Sequence, residues 1–295
     1  MTKKDGVVNI LKPAAMTSHD VVAKVRKIYQ TKKVGHTGTL DPDAVGVLPI
    51  CVGQATRLVE YLTDKDKCYR VLLKFGQETD TQDGTGQVIK ETEICLLERE
   101  AFAQLLEDFV GEIEQIPPMY SAIKRDGQPL YKLARQGISV ELEPRVVQIH
   151  AIKLLMYNGE SAMLEVHCGK GTYIRTLCQD IGRAAGSSAY MQYLLRIQSG
   201  QFKLQESITL EHLEQMERPE DALISLNEAL YDMQAFVLAD DGEQKALANG
   251  MTIKATALLN DGQICKVIHP DGTLLAIGRL QSGYFKPDKV FKAGE

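Results

Sequence analysis

Asp41 lies in the stretch best suited to chemistry, Lys33 to Gly46, which packs three glycines and one proline into fourteen residues. That composition disfavours regular helix or strand and predicts a rigid loop. An apolar run, Val45 to Val52, follows directly, so a buried strand supports the loop and fixes what it presents. A free Asp has a pKa near 3.9 and is ionised at neutral pH. It can therefore act as nucleophile or base without the activating partner a serine needs. The competing reading is a turn residue, because Asp before Pro bonds nearby backbone amides. Asp43 raises another possibility, a carboxylate pair across a sugar, which needs carboxyls roughly 5–10 Å apart. Nothing in the sequence fixes that spacing, and Asp43 is read as a loop-stabilising residue.

Other chemistry-bearing patterns fail on spacing. Gly169-Lys170-Gly171-Thr172 lacks the glycine five residues earlier that a phosphate loop requires. It reads as a strand-to-helix turn with Tyr173 and Arg175 on the first helical turn. Glu78 to Gly84 fails the calcium-loop pattern, whose twelfth position would be Lys90. The six cysteines contain no CxxC pair, so they are read as reduced and structural, holding neither disulfides nor zinc. His36 has no second His or Cys at ligand spacing in its loop. The sequence reading expects no metal and no cofactor.

The elements that position these groups follow from periodicity. Val7 to Leu11 predicts a strand stopped by Lys12-Pro13. Thr17 or Ser18 caps a helix carrying Val21, Val22, Val25, Ile28 and Tyr29 on one face. Lys67 to Phe75 alternates, with Tyr69, Val71, Leu73 and Phe75 on one side. Ala101 to Phe109 predicts an amphipathic helix. Val146 to Met156, Ala162 to His167 and Leu194 to Ile197 predict strands, with a helix from about Thr172 to Ala185. The acidic stretch Glu206 to Asp232 predicts helices. Beyond Phe236 short β segments predict a small barrel-like module.

The net charge of −5 is unevenly placed: residues 1–39 carry a local +6 and residues 204–244 a local −10. Phosphate binding depends on such local clusters, so a basic amino-terminal face is compatible with nucleic acid. Residues 120–145 add five cations, Lys124, Arg125, Lys132, Arg135 and Arg145, in an insertion able to fold over a ligand. His36 is read first as an RNA contact, then as a structural loop histidine, then as a base. No apolar run approaches the roughly 20 residues of a membrane helix, and the amino terminus lacks a signal-peptide core. A cytoplasmic location is expected.

Together the motifs resemble the TruB family of tRNA pseudouridine synthases. The resemblance runs in order through Lys12-Pro13, Gly35 to Pro42, Gly46 to Cys51, Gly53 to Arg57 and Lys67 to Arg70. It continues through Thr79 to Gly84, Gln115 to Ala122, Gly171 to Leu177 and Leu194 to Arg196. Roughly the first 200 residues are covered. It implies an α+β pseudouridine synthase fold, a mixed and mainly antiparallel sheet with flanking helices, over residues 1–235. A small β-rich module of the PUA type is implied over 236–295. It further implies isomerisation of uridine 55 in the T-loop of tRNA, by a monomer, without cofactor. Asp41 becomes the essential carboxylate, Arg175 its ion-pair partner and Tyr69 the ring stacked on a flipped uracil. Tyr173, Leu194 and Leu195 wall the pocket, and His36 fills the space the base vacates. Lys12, Lys124, Arg125, Lys132 and Arg135 are expected on the RNA backbone. Cys68 departs from the Arg or Lys common beside this Tyr, and alternation points it away from Tyr69. The alternative reading is an RNA-binding or tRNA-folding module with secondary activity.

Overall fold

A computed structural model of the chain describes residues 4–94, 97–121, 123–125, 127–138, 140–255 and 260–292, without the side chain of Arg135. The strands before residue 210 are β1 (Gly6–Lys12), β2 (Val34–His36), β3 (Val45–Val52), β4 (Lys67–Phe75), β5 (Gln77–Thr79), β6 (Val88–Glu91), β7 (Gly111–Gln115), β8 (Lys124–Arg125), β9 (Gln128–Pro129), β10 (Arg145–Tyr157), β11 (Ser161–Cys168), β12 (Ala189–Ser199) and β13 (Phe202–Lys203). The helices are α1 (Ser18–Ile28), α2 (Val59–Thr63), α3 (Arg99–Glu107), α4 (Leu130–Arg135), α5 (Ile174–Ala184) and α6 (Leu210–Gln215).

One mixed sheet carries the site, in the order β1-β3-β12-β4-β11-β10-β7, with β2 on β3 and β13 on β12. Its pairings are antiparallel except β12 with β3. β4 shows why the sheet has two faces. Its odd residues from Lys67 to Phe75 are buried and its even ones half-buried or exposed. Tyr69, Val71, Leu73 and Phe75 join Val21, Val22, Val25, Phe102, Leu106, Leu177 and Ile181 in one core. Each fully buried aliphatic or aromatic side chain there contributes about 1.5–3 kcal/mol. Thr17 caps α1 and pairs with Asp20 in a reciprocal capping box, which fixes where the helix starts over the sheet.

A second sheet, β14 (Ala235–Val237), β16 (Ile264–Ile268), β17 (Leu274–Gln281), β18 (Tyr284–Val290) and β15 (Ile253–Lys254) in that order, forms with α7 (Asp241–Ala248) a carboxyl-terminal β-rich unit. Leu274, Ile277 and Phe291 pack against Val7, Val47, Cys51 and Leu58 on the opposite side of the main sheet.

Several expectations need correction. Gly35 and Gly46 lie within β2 and β3, so the irregular loop spans only 37–44. The strand expected at Leu194 to Ile197 runs from Ala189 to Ser199. Register shifts at Met191/Tyr193 and Arg196/Gln198 break its alternation and hide it from a period-two search. The acidic stretch is mostly short 3-10 turns, with six-residue α6 as its α-helix. Pro219 and the capping Ser225 near Glu228 interrupt it before longer helices can propagate.

Gly46 shows how tightly the loop is held. It sits at φ +114°, and a Cβ there would lie 2.2 Å from the Arg196 carbonyl oxygen on neighbouring β12. Backbone, not a movable side chain, fills that space. Gly46→Ala is therefore expected to destabilise the fold by about 3 kcal/mol or more, through overpacking and unfavourable φ together. Chemical denaturation reads this as a lower midpoint with unchanged slope, and an unchanged midpoint contradicts it.

Candidate active site

Three buried side chains from three elements hold the loop on both sides of Asp41. Arg196, 1% exposed on β12, donates from Nε to the Val47 carbonyl at 2.7 Å and from Nη2 to the Gly38 carbonyl at 3.1 Å. Ser18 Oγ, in the first turn of α1, donates to the Leu40 carbonyl at 3.1 Å and accepts from the Leu40 amide at 2.9 Å. Lys12, at the end of β1, donates from Nζ to the carbonyls of Pro13 and Pro42, each at 2.8 Å, and of Met16 at 2.5 Å.

Lys12 is thus a correction. Its side chain is fully buried, and its ammonium is spent on backbone carbonyls, so no phosphate reaches it. Burial lowers its pKa to about 8, opposed by the charges of Asp43 and Asp41. Lys12→Met would strand three carbonyls beside the loop, a loss of about 3 kcal/mol. A melting temperature within a degree of wild type would contradict that.

Asp41 meets Arg175 through a fork. Arg175 Nε is 3.0 Å from Asp41 Oδ2, and Nη2 donates to Oδ1 at 3.3 Å. The guanidinium is itself 6% exposed, while the Asp41 side chain is 35% exposed. Arg175 also donates to the Thr81 carbonyl at 3.0 Å and the Tyr120 carbonyl at 2.8 Å. The planar fork thereby joins the loop, the 79–84 turn and the Ile116–Tyr120 segment at the start of α5. Asp83 lies 3.8 Å from Arg175 Nη1 and accepts from the Thr81 and Thr85 hydroxyls within its own turn. Burial raises the Asp41 pKa; Arg175 is the largest opposing influence and Asp83 adds to the rise. Asp43 is exposed and acts on the site through its charge on Lys12.

Tyr69 lies on the same sheet face, directly across from Arg196 on β12. It is 9% exposed, and burial raises its phenol pKa against the Arg196 charge and hydrogen bond. The ring is therefore neutral at physiological pH. Tyr173 caps α5. Buried Gln115 accepts from its amide at 3.0 Å and donates to its carbonyl at 3.3 Å. Burial also raises the Tyr173 phenol. His36 sits edge-on to His19 at 5.8 Å, and its Nδ1 accepts from the Gly38 amide at 3.3 Å. Burial, with His19 and Arg196 adding, lowers its pKa to about 4. It is a neutral ring at pH 7, unable to bind phosphate as a cation.

Leu194 and Leu195 do not share a surface. Leu194 pairs with Val71 and is buried in the core that holds Tyr69, whereas Leu195 pairs with Arg70 on the other face. Strand alternation makes a joint pocket wall impossible for adjacent residues in this register. Lys124, Arg125 and Lys132 are exposed in the β8–β9 hairpin and α4, with Arg125 donating to the Glu141 carbonyl at 2.7 Å. The expected contact from Arg135 lies outside the described side chains. Sequence reasoning missed Ser18 and Arg196 as supports. The 194–196 segment pointed at Arg196, but burial of an Arg in a strand has no sequence signal.

The bidentate Asp41–Arg175 fork and the buried Tyr69 thus lie beside one mixed sheet, and comparison with known proteins shows the family. Residues 26–174 match the family model described as TruB family pseudouridylate synthase (N terminal domain). Residues 175–238 match the one described as tRNA pseudouridylate synthase B C-terminal domain. The chain is 46% identical over 256 residues to the tRNA pseudouridine synthase B of Alkaliphilus oremlandii (strain OhILAs), covering 87% of this chain and 85% of that protein. It is 40% identical over 291 residues to the tRNA pseudouridine synthase B of Clostridium perfringens (strain SM101 / Type A), covering 97% and 98%. Among solved structures it resembles a chain of an H/ACA RNP bound to a substrate RNA containing 2'-deoxyuridine, with TM-score 0.76, 26% identity and coverage of 98% of this chain and 85% of that one. A chain of a Cbf5-Nop10-Gar1 complex gives TM-score 0.74 at 27% identity, covering 97% and 84%. The chain belongs to the TruB family and is a tRNA pseudouridine synthase.

Proposed function

We propose that the enzyme isomerises uridine 55 in the T-loop of tRNA, with Asp41 as the essential carboxylate. The observation that carries this reading is the Asp41–Arg175 fork, a partly buried carboxylate aimed by a buried arginine. The reaction breaks the bond from ribose C1′ to N1 and forms one to C5; the C5 proton leaves and N1 gains one. Electrons and atoms balance within the uridine and water, so the isomerisation itself draws on no redox or group-transfer cofactor. Asp41 as the ionised group stabilises the reacting sugar or base. Tyr69, neutral and nine-tenths buried, supplies a stacking face worth about 1–3 kcal/mol, which offsets much of the few kcal/mol that flipping the uridine costs. Leu194 lies on the same face of the sheet as Tyr69, and Tyr173, at the start of α5, completes the pocket in this reading.

Lys124, Arg125, Lys132 and Arg135 follow the phosphates of the T-arm, by charge and shape rather than sequence. In this reading residues 1–235 form the catalytic domain, 120–145 close over the RNA, and the unit from 236 to 295 adds RNA contacts. Asp41, Tyr69 and Arg175 come from one chain, so a monomer suffices, acting in the cytoplasm where tRNA is modified.

The pH dependence follows from Asp41. Its pKa is raised by burial, so its carboxylate protonates at a higher pH than an ordinary Asp near 3.9. Activity is therefore expected to fall with decreasing pH along a limb displaced above that value, read by single-turnover rates across pH. A limb at or below the ordinary value contradicts it. The reading itself is tested with tRNA transcripts tritiated at uridine C5. Tritium release is expected from the wild-type T-loop and not from a transcript whose only change is cytidine at position 55. Equal release from both would move the target elsewhere in the tRNA.

A further inference from the structure

Three groups outside the active centre converge on the far face of the sheet. His167, on β11, is flanked by buried Val166 and Cys168 and so projects away from the core that holds Tyr69. Its register partner is Cys68, next to Tyr69 but on the opposite face. β10 carries a bulge at this point: Ile149 pairs with Cys168 and Ala151 with His167, leaving His150 as the extra residue between them. Bulges re-aim side chains, and this one sets the His150 ring 4.8 Å from the His167 ring. Asp66, just before β4, completes the group. Its Oδ2 is 3.2 Å from His150 Nε2 and 4.0 Å from His167 Nε2.

We propose that Asp66, His150 and His167 form a binding site for one divalent transition-metal ion of the zinc class. The three ligand atoms lie within 4.8 Å of one another. Tetrahedral zinc with bonds near 2.0–2.1 Å needs neighbouring ligand atoms roughly 3.3 Å apart. The side chains are 34–50% exposed, so small rotamer changes close the difference. Two imidazoles and one carboxylate select Zn, Co, Ni or Cu over Mg and Ca, which prefer all-oxygen shells. Lys65 pairs with Asp232, Lys170 pairs with Asp64, and the buried Lys67 donates to the Thr63 and Lys65 carbonyls while its charge still acts on Asp66. Asp66 and His167 also line an adjacent cleft together with Lys65 and Gln198.

The ion would tie together the chain segments at 66, 150 and 167. Those segments lead directly into Tyr69 on one side and into Tyr173 and Arg175 on the other. It sits across the sheet from Asp41 and acts as a clip on the strand ends, separate from the isomerisation.

The test uses the untagged full chain, stripped with a chelator and titrated with Zn²⁺ by calorimetry. One equivalent is expected to bind, with affinity unaffected by millimolar Mg²⁺. His150→Ala with His167→Ala together should weaken that phase roughly 100-fold or more, and Asp66→Asn alone roughly tenfold. The same site loaded with Co²⁺ in the wild type should show visible d–d bands without a thiolate charge-transfer band. Absence of stoichiometric binding, binding retained within threefold by the double variant, or a thiolate band would each overturn the proposal.

Discussion

Asp41→Asn is expected to bind tRNA within about threefold of wild type and to form no measurable pseudouridine. Asn keeps the size and polarity of Asp but carries no charge and offers one acceptor oxygen in place of two. The fork of Arg175 then loses its ionic partner, while its bonds to the Thr81 and Tyr120 carbonyls remain. The loop clamps of Lys12, Ser18 and Arg196 act on backbone atoms and do not involve the Asp41 side chain. The fold and the RNA-binding surface are therefore preserved while the reactive group is gone. Loss of an essential covalent or electrostatic group is worth several powers of ten, here a fall of about 10⁴-fold or more. Gel-shift titration and single-turnover conversion separate the two effects. A variant that loses affinity and activity in proportion would make Asp41 a binding residue.

Arg175→Met carries the second large effect, and it acts on both stability and rate. The guanidinium is 6% exposed and bonds Asp41, Thr81 and Tyr120 together. Met retains much of the volume and none of the donors. Two carbonyls and a carboxylate lose their partner, at about 1–3 kcal/mol each for the carbonyls. The rate is expected to fall about 10²–10³-fold, as for removal of one preorganised electrostatic group. The sign with pH is also fixed. Arg175 is the largest influence holding the Asp41 pKa down, so its removal raises that pKa further. The acid limb of the rate should move to higher pH than in the wild type, so the defect grows as pH falls through that limb. Arg175→Lys keeps the charge but not the fork and should fall between. An acid limb unmoved by the substitution would contradict this coupling.

Much of the scaffold was legible because burial on one face leaves a period in the sequence. β4 is the clearest case: its alternation gave both the strand and the inward direction of Tyr69. α1 was marked by a cap at Thr17 or Ser18 and by the Val21–Val25 stripe; the structure puts the cap at Thr17. The loop around Asp41 was marked by its glycines, although Gly46 proved to be a strand residue forced to glycine by the β12 backbone. What was not legible depends on contacts between distant segments. Lys12 reads as a surface cation in sequence, yet three carbonyls from residues 13, 16 and 42 enclose it. Leu195 parts from Leu194 because adjacent strand residues face opposite ways. The extent of β12 was hidden by two register shifts. The Asp66–His150–His167 cluster spans a hundred residues and owes its closeness to a bulge, which no ligand spacing encodes. Arg175 could be linked to Asp41 only through family resemblance; 134 residues separate them.

The proposed role of Asp41, aimed by Arg175, is that of the one carboxylate that performs the isomerisation. It is tested most directly by single-turnover tritium release from C5-tritiated tRNA, with enzyme in excess and wild type beside Asp41→Asn. Complete release is expected from the wild type and none above the enzyme-free blank from the variant. Release by Asp41→Asn within tenfold of the wild-type rate would contradict it.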